Sequence, residues 1–210
     1  MFIDMIKNII FDLGNVILKD TPSVVLENLK ISDEIYKIIK CKFFDNWNKL
    51  DLGKETLKEH LDNCGIDFTI DDEIREVLLN YYKYRPFNNE VIELMNNLKS
   101  NMYNIFILSN NNKEAYNYLV RLPIFEAVDG WIVSCDYNII KPDKKIYIKL
   151  FENFNIKPEE SFLIDDKAEN IKVAKQVGMK GFILDLENQG IHELIESLKK
   201  NDIILETKSQ

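Results

Sequence analysis

Three short apolar runs in this chain each stop abruptly at polar residues. Ile9-Ile10-Phe11 stops at Asp12, Phe106-Ile107-Leu108 at Ser109-Asn110, and Phe162-Leu163-Ile164 at Asp165-Asp166. A strand covered on both faces needs such a run, because its side chains alternate between two dry layers. Residues 127–134 and 181–186 have the same character. Between the runs the apolar spacing becomes helical: Val91, Leu94, Met95 and Leu98; then Ala115 to Leu122, closed by Pro123. Tyr147, Leu150, Phe151 and Phe154 follow a helix start at Pro142, and Ile171, Ala174 and Val177 are closed by Gly178. Ile191, Leu194, Ile195 and Leu198 make the last helix, and the tail from about Asn201 is expected to be loose. Strands alternating with helices build right-handed βαβ units. The expected class is therefore α/β, a Rossmann-like parallel sheet with strands at 7–12, 103–109, 127–134, 161–165 and 181–186.

Residues 20–86 break this rhythm. Thr21-Pro22 reads as a helix cap with proline at the first helical position. Helical spacing continues through Val25, Leu26 and Leu29, then Ile35, Ile38 and Ile39, then Leu57, Leu61 and Cys64, then Ile74, Val77, Leu78 and Tyr81. No convincing strand interrupts them. We expect a Rossmann-like core from residues 1–19 and 87–210, with a helical cap of residues 20–86 inserted over the C-terminal sheet edge, above Asp12. The aromatics Trp47, Tyr81, Tyr82 and Tyr84 fall in the cap and are expected to pack its core.

The balance of charges narrows the partners. With 210 residues, 46% hydrophobic and a net charge of -8, the chain can bury a core but is a poor match for nucleic acid or an anionic membrane. A small phosphorylated substrate remains compatible, since one bound divalent cation reverses the local field. Cys41, Cys64 and Cys135 are isolated, so neither a zinc site nor a disulfide framework is indicated. No signal-peptide core and no membrane-length apolar run is present, and the expected location is the cytoplasm. Oligomeric state is not legible. His60 and His192 lie in helical patterns, with no arrangement resembling a Ser-His-Asp triad. Gly53-Lys54 lacks the other residues of a phosphate loop.

The strand ends carry the chemistry. A carboxylate leaving a strand at Asp12 points into the crevice where open α/β sheets bind ligands, and can act as nucleophile or metal ligand. Gly14 and Asn15 tolerate the positive φ of a sharp turn that aims backbone N–H groups at an anion. Ser109 and Asn110 offer neutral hydrogen bonds suited to phosphate oxygens. Lys141, ahead of Pro142, brings an ammonium to a helix start. Asp165 and Asp166 beside Asp12 would repel one another unless a hard cation such as Mg²⁺ stood between them.

Together these stretches resemble the four motifs of the haloacid dehalogenase superfamily of hydrolases. The matching strings are Phe11-Asp12-Leu13-Gly14-Asn15-Val16-Ile17, Leu108-Ser109-Asn110, Lys141-Pro142-Asp143, and Ile164-Asp165-Asp166 followed by Glu169-Asn170-Ile171 and Gly178-Met179. Within the superfamily the chain resembles the branch that includes bacterial alpha-D-glucose-1-phosphate phosphatase and the phosphatase domain of soluble epoxide hydrolase. It implies a Mg²⁺-dependent phosphatase of small phosphorylated metabolites, sugar phosphates first and hexose 1-phosphates among them. Asp12 would be the nucleophile that forms an aspartyl-phosphate. The Gly14 carbonyl and Asp166 would join Asp12 on Mg²⁺, with Asp165 close by. Asn15, Ser109, Asn110 and Lys141 would hold the substrate, Lys141 also serving catalysis.

One position departs from the commonest phosphatase pattern. Gly14 stands where a second aspartate usually acts as general acid–base, a contribution typically of about 10²–10⁴-fold. Either the leaving group is a good one, or Asp20 or a substrate hydroxyl supplies the proton, or turnover is slow. A 2-haloacid dehalogenase is the alternative that needs no such acid. A catalytically silent binding protein on the same fold is the other.

Overall fold

A computed structural model describes residues 5–27, 29, 31–66, 72–186, 188 and 190–205. Five strands form one wholly parallel sheet: β1 (Asn8–Phe11), β2 (Asn104–Ser109), β3 (Gly130–Val133), β4 (Ser161–Asp165) and β5 (Lys180–Ile183), in the order β3-β2-β1-β4-β5. The chain builds outward from β1 to β3, then crosses back to β4. Strand order therefore reverses between β1 and β4, and a crevice opens at their C-terminal ends.

The alternation read from the apolar runs is carried out on the two faces. Ile9, Phe11, Ile105, Ile107, Phe162 and Ile164 pack one face against Val91, Met95 and Leu98 of α6 (Asn89–Ser100) and Leu194 and Leu198 of α11 (Ile191–Lys200). Ile10, Phe106, Leu108 and Leu163 pack the other against Ile146, Tyr147 and Leu150 of α9 (Lys144–Phe154) and Ile171 and Ala174 of α10 (Ala168–Gln176). Between β2 and β4 lie also α7 (Lys113–Leu119) and α8 (Ser134–Tyr137).

Among the described residues between β1 and β2, the segment before α6 is helical and forms no strand of the sheet. It holds α1 (Pro22–Leu26), α2 (Asp33–Ile39), a wide helical turn at Lys40–Phe44, α3 (Asn48–Asp51), α4 (Leu57–Asn63) and α5 (Asp72–Leu79). Its apolar stripes meet in a cluster of their own, built on Val25, Ile39, Phe43, Leu50, Leu61 and Leu78, which touches the rest of the protein through Ala115 of α7. A Thr56–Glu59 capping box starts α4. His60 is buried in this cluster, hydrogen-bonded to Glu55 and to the Phe43 carbonyl.

Four expectations change. The fifth strand spans Lys180–Ile183 rather than 181–186. The third strand starts at Gly130 rather than 127; Ala127 and Val128 lie before the ladder but still pack on the core. Pro142 does not open α9. It follows a cis Lys141–Pro142 bond, and Asp143 caps the helix by accepting from the Lys145 N–H. The tail is not loose as far as residue 205: Ile203 is buried, and the Ile204 N–H donates to the Tyr103 hydroxyl at 2.8 Å. Residues 206–210 lie outside the described residues.

Candidate active site

The crevice between β1 and β4 gathers the charged groups. The Asp12 N–H continues the ladder by donating to the Ile164 carbonyl at 2.9 Å, so the Asp12 side chain emerges beside the end of β4. Its Oδ1 accepts from the Leu13 N–H at 2.7 Å and pairs with Lys141 Nζ at 2.9 Å. The same ammonium reaches Asp165 Oδ2 at 2.7 Å. Asp165 is completely buried, and its other oxygen accepts from the Lys167 N–H and from Asn170 Nδ2, at 2.9 and 2.8 Å. Four donor contacts thus hold Asp165 and the lysine in place. Burial alone would drive Lys141 towards its neutral form, but Asp12 and Asp165 on either side keep its pKa above the usual range. Asp12 is pushed upward by burial and by Asp165 and Asp166, with Lys141 opposing.

Asn15 shapes the other wall. It adopts the left-handed conformation, φ 54°, at the sharp turn. Its amide donates to Asp166 Oδ2 at 3.2 Å, and its carbonyl oxygen accepts from the Asp20 N–H at 3.1 Å. Asp166 Oδ1 is buried without a hydrogen-bond partner. Oxygens of Asp12, Asp165 and Asp166 all lie within 4.8 Å of one another, a spacing that one ion can span. An orphaned carboxylate oxygen in an all-oxygen cluster fits a hard divalent cation.

The motif residues divide by position. Asp12, Gly14, Asn15, Asn110, Lys141 and Asp166 border a cavity of about 300 Å³ at the crevice. Ser109 and Asp165 are buried behind it and are not part of its wall. The Ser109 hydroxyl donates to the Asn110 carbonyl. The Asn110 side chain is engaged with the Lys141 backbone, accepting from its N–H at 2.7 Å and donating to its carbonyl at 3.1 Å. Asn110 thereby fixes the loop that carries the lysine.

The remaining wall comes from the helical segment. Asp20, Lys40, Phe44, Trp47, Asp51, Tyr81 and Arg85 face the same cavity. Arg85 is buried, donates to Asp20 Oδ2 at 3.0 Å and lies over the Tyr81 ring at 5.1 Å. Trp47 and Tyr81 belong to the apolar cluster and border the cavity as well, so core packing is only part of their placement. Tyr82 packs between Tyr81 and Tyr118, and Tyr84 is exposed. Arg85, Asp51 and Asn111 were not legible as site residues. Their sequence surroundings look like ordinary loop and helix, and only the folded chain brings them to Asp12.

Relatives place this crevice in a known context. The sequence profile of the haloacid dehalogenase-like hydrolases matches residues 6–178. The D-ribitol-5-phosphate phosphatase of Bacteroides thetaiotaomicron is 25% identical over 196 residues, which cover 85% of this chain and 91% of that enzyme. Bifunctional epoxide hydrolase 2 of Mus musculus is 24% identical over 156 residues; these cover 72% of this chain but only 28% of that protein. A haloacid dehalogenase family enzyme of B. thetaiotaomicron, solved as an aspartate-to-alanine variant in complex with magnesium and inorganic phosphate, superposes with a TM-score of 0.71. It is 22% identical, and the match covers 90% of this chain and 98% of that one. The profile match runs from just before β1 to just beyond α10, taking in the strand ends that build the crevice and the helical segment above it: the chain belongs to the haloacid dehalogenase-like hydrolase family.

Proposed function

We propose that this hydrolase is a Mg²⁺-dependent phosphomonoesterase of small phosphorylated metabolites, with Asp12 as nucleophile. The observation that carries the reading is the cluster of Asp12, Asp165 and Asp166 around Lys141, with one Asp166 oxygen buried and unpartnered. Asp12, Asp166 and the Gly14 carbonyl would hold the cation, with Asp165 behind them. When bound, Mg²⁺ supplies positive charge that offsets the repulsion between an anionic nucleophile and an anionic phosphate. The chain's own residues do the rest. Lys141, fixed between two carboxylates, neutralises phosphoryl oxygens as Asp12 attacks phosphorus and forms an aspartyl-phosphate. Asn15 and Asn110 border the phosphoryl side. Ser109 and Asp165 act from behind, through the loop and the lysine they support.

The core of residues 1–19 and 87–210 carries this chemistry, and residues 20–86 form the cap. The neck between them is narrow: the Lys19 N–H donates to the Pro86 carbonyl at 2.9 Å and the Asn88 N–H to the Ile17 carbonyl at 2.8 Å. A cap on such a neck can open and close over the crevice. A cavity of about 300 Å³ suits a small phosphorylated polyol or sugar, and a phosphatase relative acts on a polyol phosphate. Hexose 1-phosphates are the finer assignment, since an anomeric leaving group asks least of a site with Gly14. The absence of any described helix long and apolar enough to cross a membrane, and three unpaired cysteines, are compatible with a cytoplasmic setting. A 2-haloacid dehalogenase also tolerates Gly14, but it leaves the orphaned Asp166 oxygen without a use.

The test is phosphate release from ribitol 5-phosphate, glucose 1-phosphate and p-nitrophenyl phosphate, with Mg²⁺ and with EDTA. Release that EDTA abolishes is expected. Release that ignores EDTA contradicts the metal, and no release from any ester contradicts the phosphatase.

A further inference from the structure

Gly14 leaves the reaction without its usual proton donor, and the space beside it is already taken. A Cβ on Gly14 would come within 3.1 Å of Asp20 Oδ2. Asp20, however, spends that oxygen on the buried Arg85. A second carboxyl faces the same cavity from the cap: Asp51, the last residue of α3. Among the described residues its side chain has neither an ion pair nor a hydrogen bond. It is nevertheless held in place through its backbone. Ser134 Oγ donates to the Asp51 carbonyl at 2.6 Å, and Asn138 Nδ2 donates to the Leu52 carbonyl at 2.6 Å. Gly53, at φ 63°, lies so close to the Cys135 carbonyl that a Cβ would meet it at 2.5 Å. With the cap closed over the crevice, cap and core thus meet at the residues flanking this carboxyl.

We propose that Asp51 is the general acid–base of the site and does from the cap what a side chain at position 14 would otherwise do. The inference rests on the phosphatase reading. As the phosphorus–oxygen bond to the leaving group breaks, its electron pair stays on that oxygen, which takes the proton of the Asp51 carboxyl. The Asp51 carboxylate then removes a proton from water as the water oxygen attacks phosphorus. The bond from phosphorus to Asp12 breaks, leaving inorganic phosphate and the Asp12 carboxylate, and Asp51 is protonated again.

The surroundings fit the part. The charged groups around Asp51 include Asp20 and the buried Arg85 at the neck, and Asp12, Lys141 and Lys167 on the core. Burial, with Asp20 and Asp12 adding to it and the two lysines opposing, pushes the Asp51 carboxyl up to about 7. A proton donor works best with a pKa near the working pH. Asp20 is committed to the Arg85 guanidinium, while Asp51 stands unpartnered among the described residues.

The experiment is rapid-quench kinetics of wild type, Asp51→Asn and Asp20→Asn in excess Mg²⁺, reading the first turnover of p-nitrophenyl phosphate and of ribitol 5-phosphate. A nitrophenolate leaves without help; an alkoxide does not. For Asp51→Asn the first turnover of the alkyl ester is expected to fall by about a hundredfold or more, and that of the aryl ester by less than about tenfold. Asp20→Asn is expected to show no such split. An equal loss on both esters, or no loss, in a variant with wild-type circular dichroism overturns the proposal while leaving the phosphatase reading intact. A split that appears in Asp20→Asn instead assigns the proton to Asp20 and also overturns it. If wild type turns over neither ester, the phosphatase reading fails and takes the proposal with it.

Discussion

Replacing Lys141 with Met removes one charge from the centre of the site and keeps most of the side-chain stem. The ammonium lies 2.9 Å from Asp12 and 2.7 Å from Asp165, and all three side chains are less than a tenth exposed. Deleting one partner of a buried ion pair costs about 3–5 kcal/mol, chiefly because an uncompensated charge stays behind. Here two carboxylates lose their cation, so a loss of about 4 kcal/mol is expected near neutral pH in EDTA. That is a large share of the roughly 5–15 kcal/mol that stabilises a domain. The pH dependence has a definite sign. In wild type Lys141 keeps its proton above its ordinary pKa of 10.5, so its contribution is complete and constant below that pH. In the variant, Asp12, already raised by burial and now without the opposing ammonium, binds protons more readily than in the unfolded chain, where carboxyls titrate near about 4. Folding then takes up protons as pH falls, and the deficit shrinks between neutrality and about pH 5. Mg²⁺ should narrow it too, by supplying a cation to Asp12. Urea unfolding followed by circular dichroism, with EDTA or Mg²⁺ and at two pH values, measures all of this. A deficit under about 1 kcal/mol in EDTA, or one that grows on acidification, would refute the counter-ion argument.

Two further substitutions probe packing and the acid. Gly130→Ala drives a Cβ into the Phe154 ring, where overpacking costs about 1–3 kcal/mol; the melting temperature should fall, and Phe154→Leu in the same chain should restore most of it. An unchanged melting temperature contradicts the close approach of β3 and α9. Gly14→Asp should not raise kcat on alkyl phosphates, because Asp20 Oδ2 already stands 3.1 Å from the new Cβ and repels a second carboxylate; a gain of about tenfold would show that the site accepts an acid at position 14.

How far the sequence could be read follows from which forces act locally. The three central strands were legible because a doubly covered strand must be apolar, and the abrupt stops at Asp12, Ser109 and Asp165 mark where they leave the sheet. The start of β3 was less so, since Ala127 and Val128 pack on the core without joining the ladder. Pro142 looked like a helix start, yet Asp143 caps α9 after it. Residue type revealed the charges of the site but not their division of labour. Asn110 is engaged with the Lys141 backbone, and Ser109 lies behind the cavity wall, arrangements that depend on a loop path no spacing encodes. Arg85 and Asp51 reach the crevice only because the helical segment folds back onto the sheet edge. Their neighbours in sequence carry no sign of it.

The central claim is that Asp12 takes the phosphoryl group. Acid-quenching wild-type enzyme during turnover with p-nitrophenyl phosphate and Mg²⁺, then digesting it and weighing its peptides, tests this directly. The peptide that contains Asp12 should carry one phosphoryl group, lost again on treatment with hydroxylamine and absent from Asp12→Asn. A phosphoryl group on another residue, or Asp12→Asn releasing phosphate at close to the wild-type rate, would contradict the account.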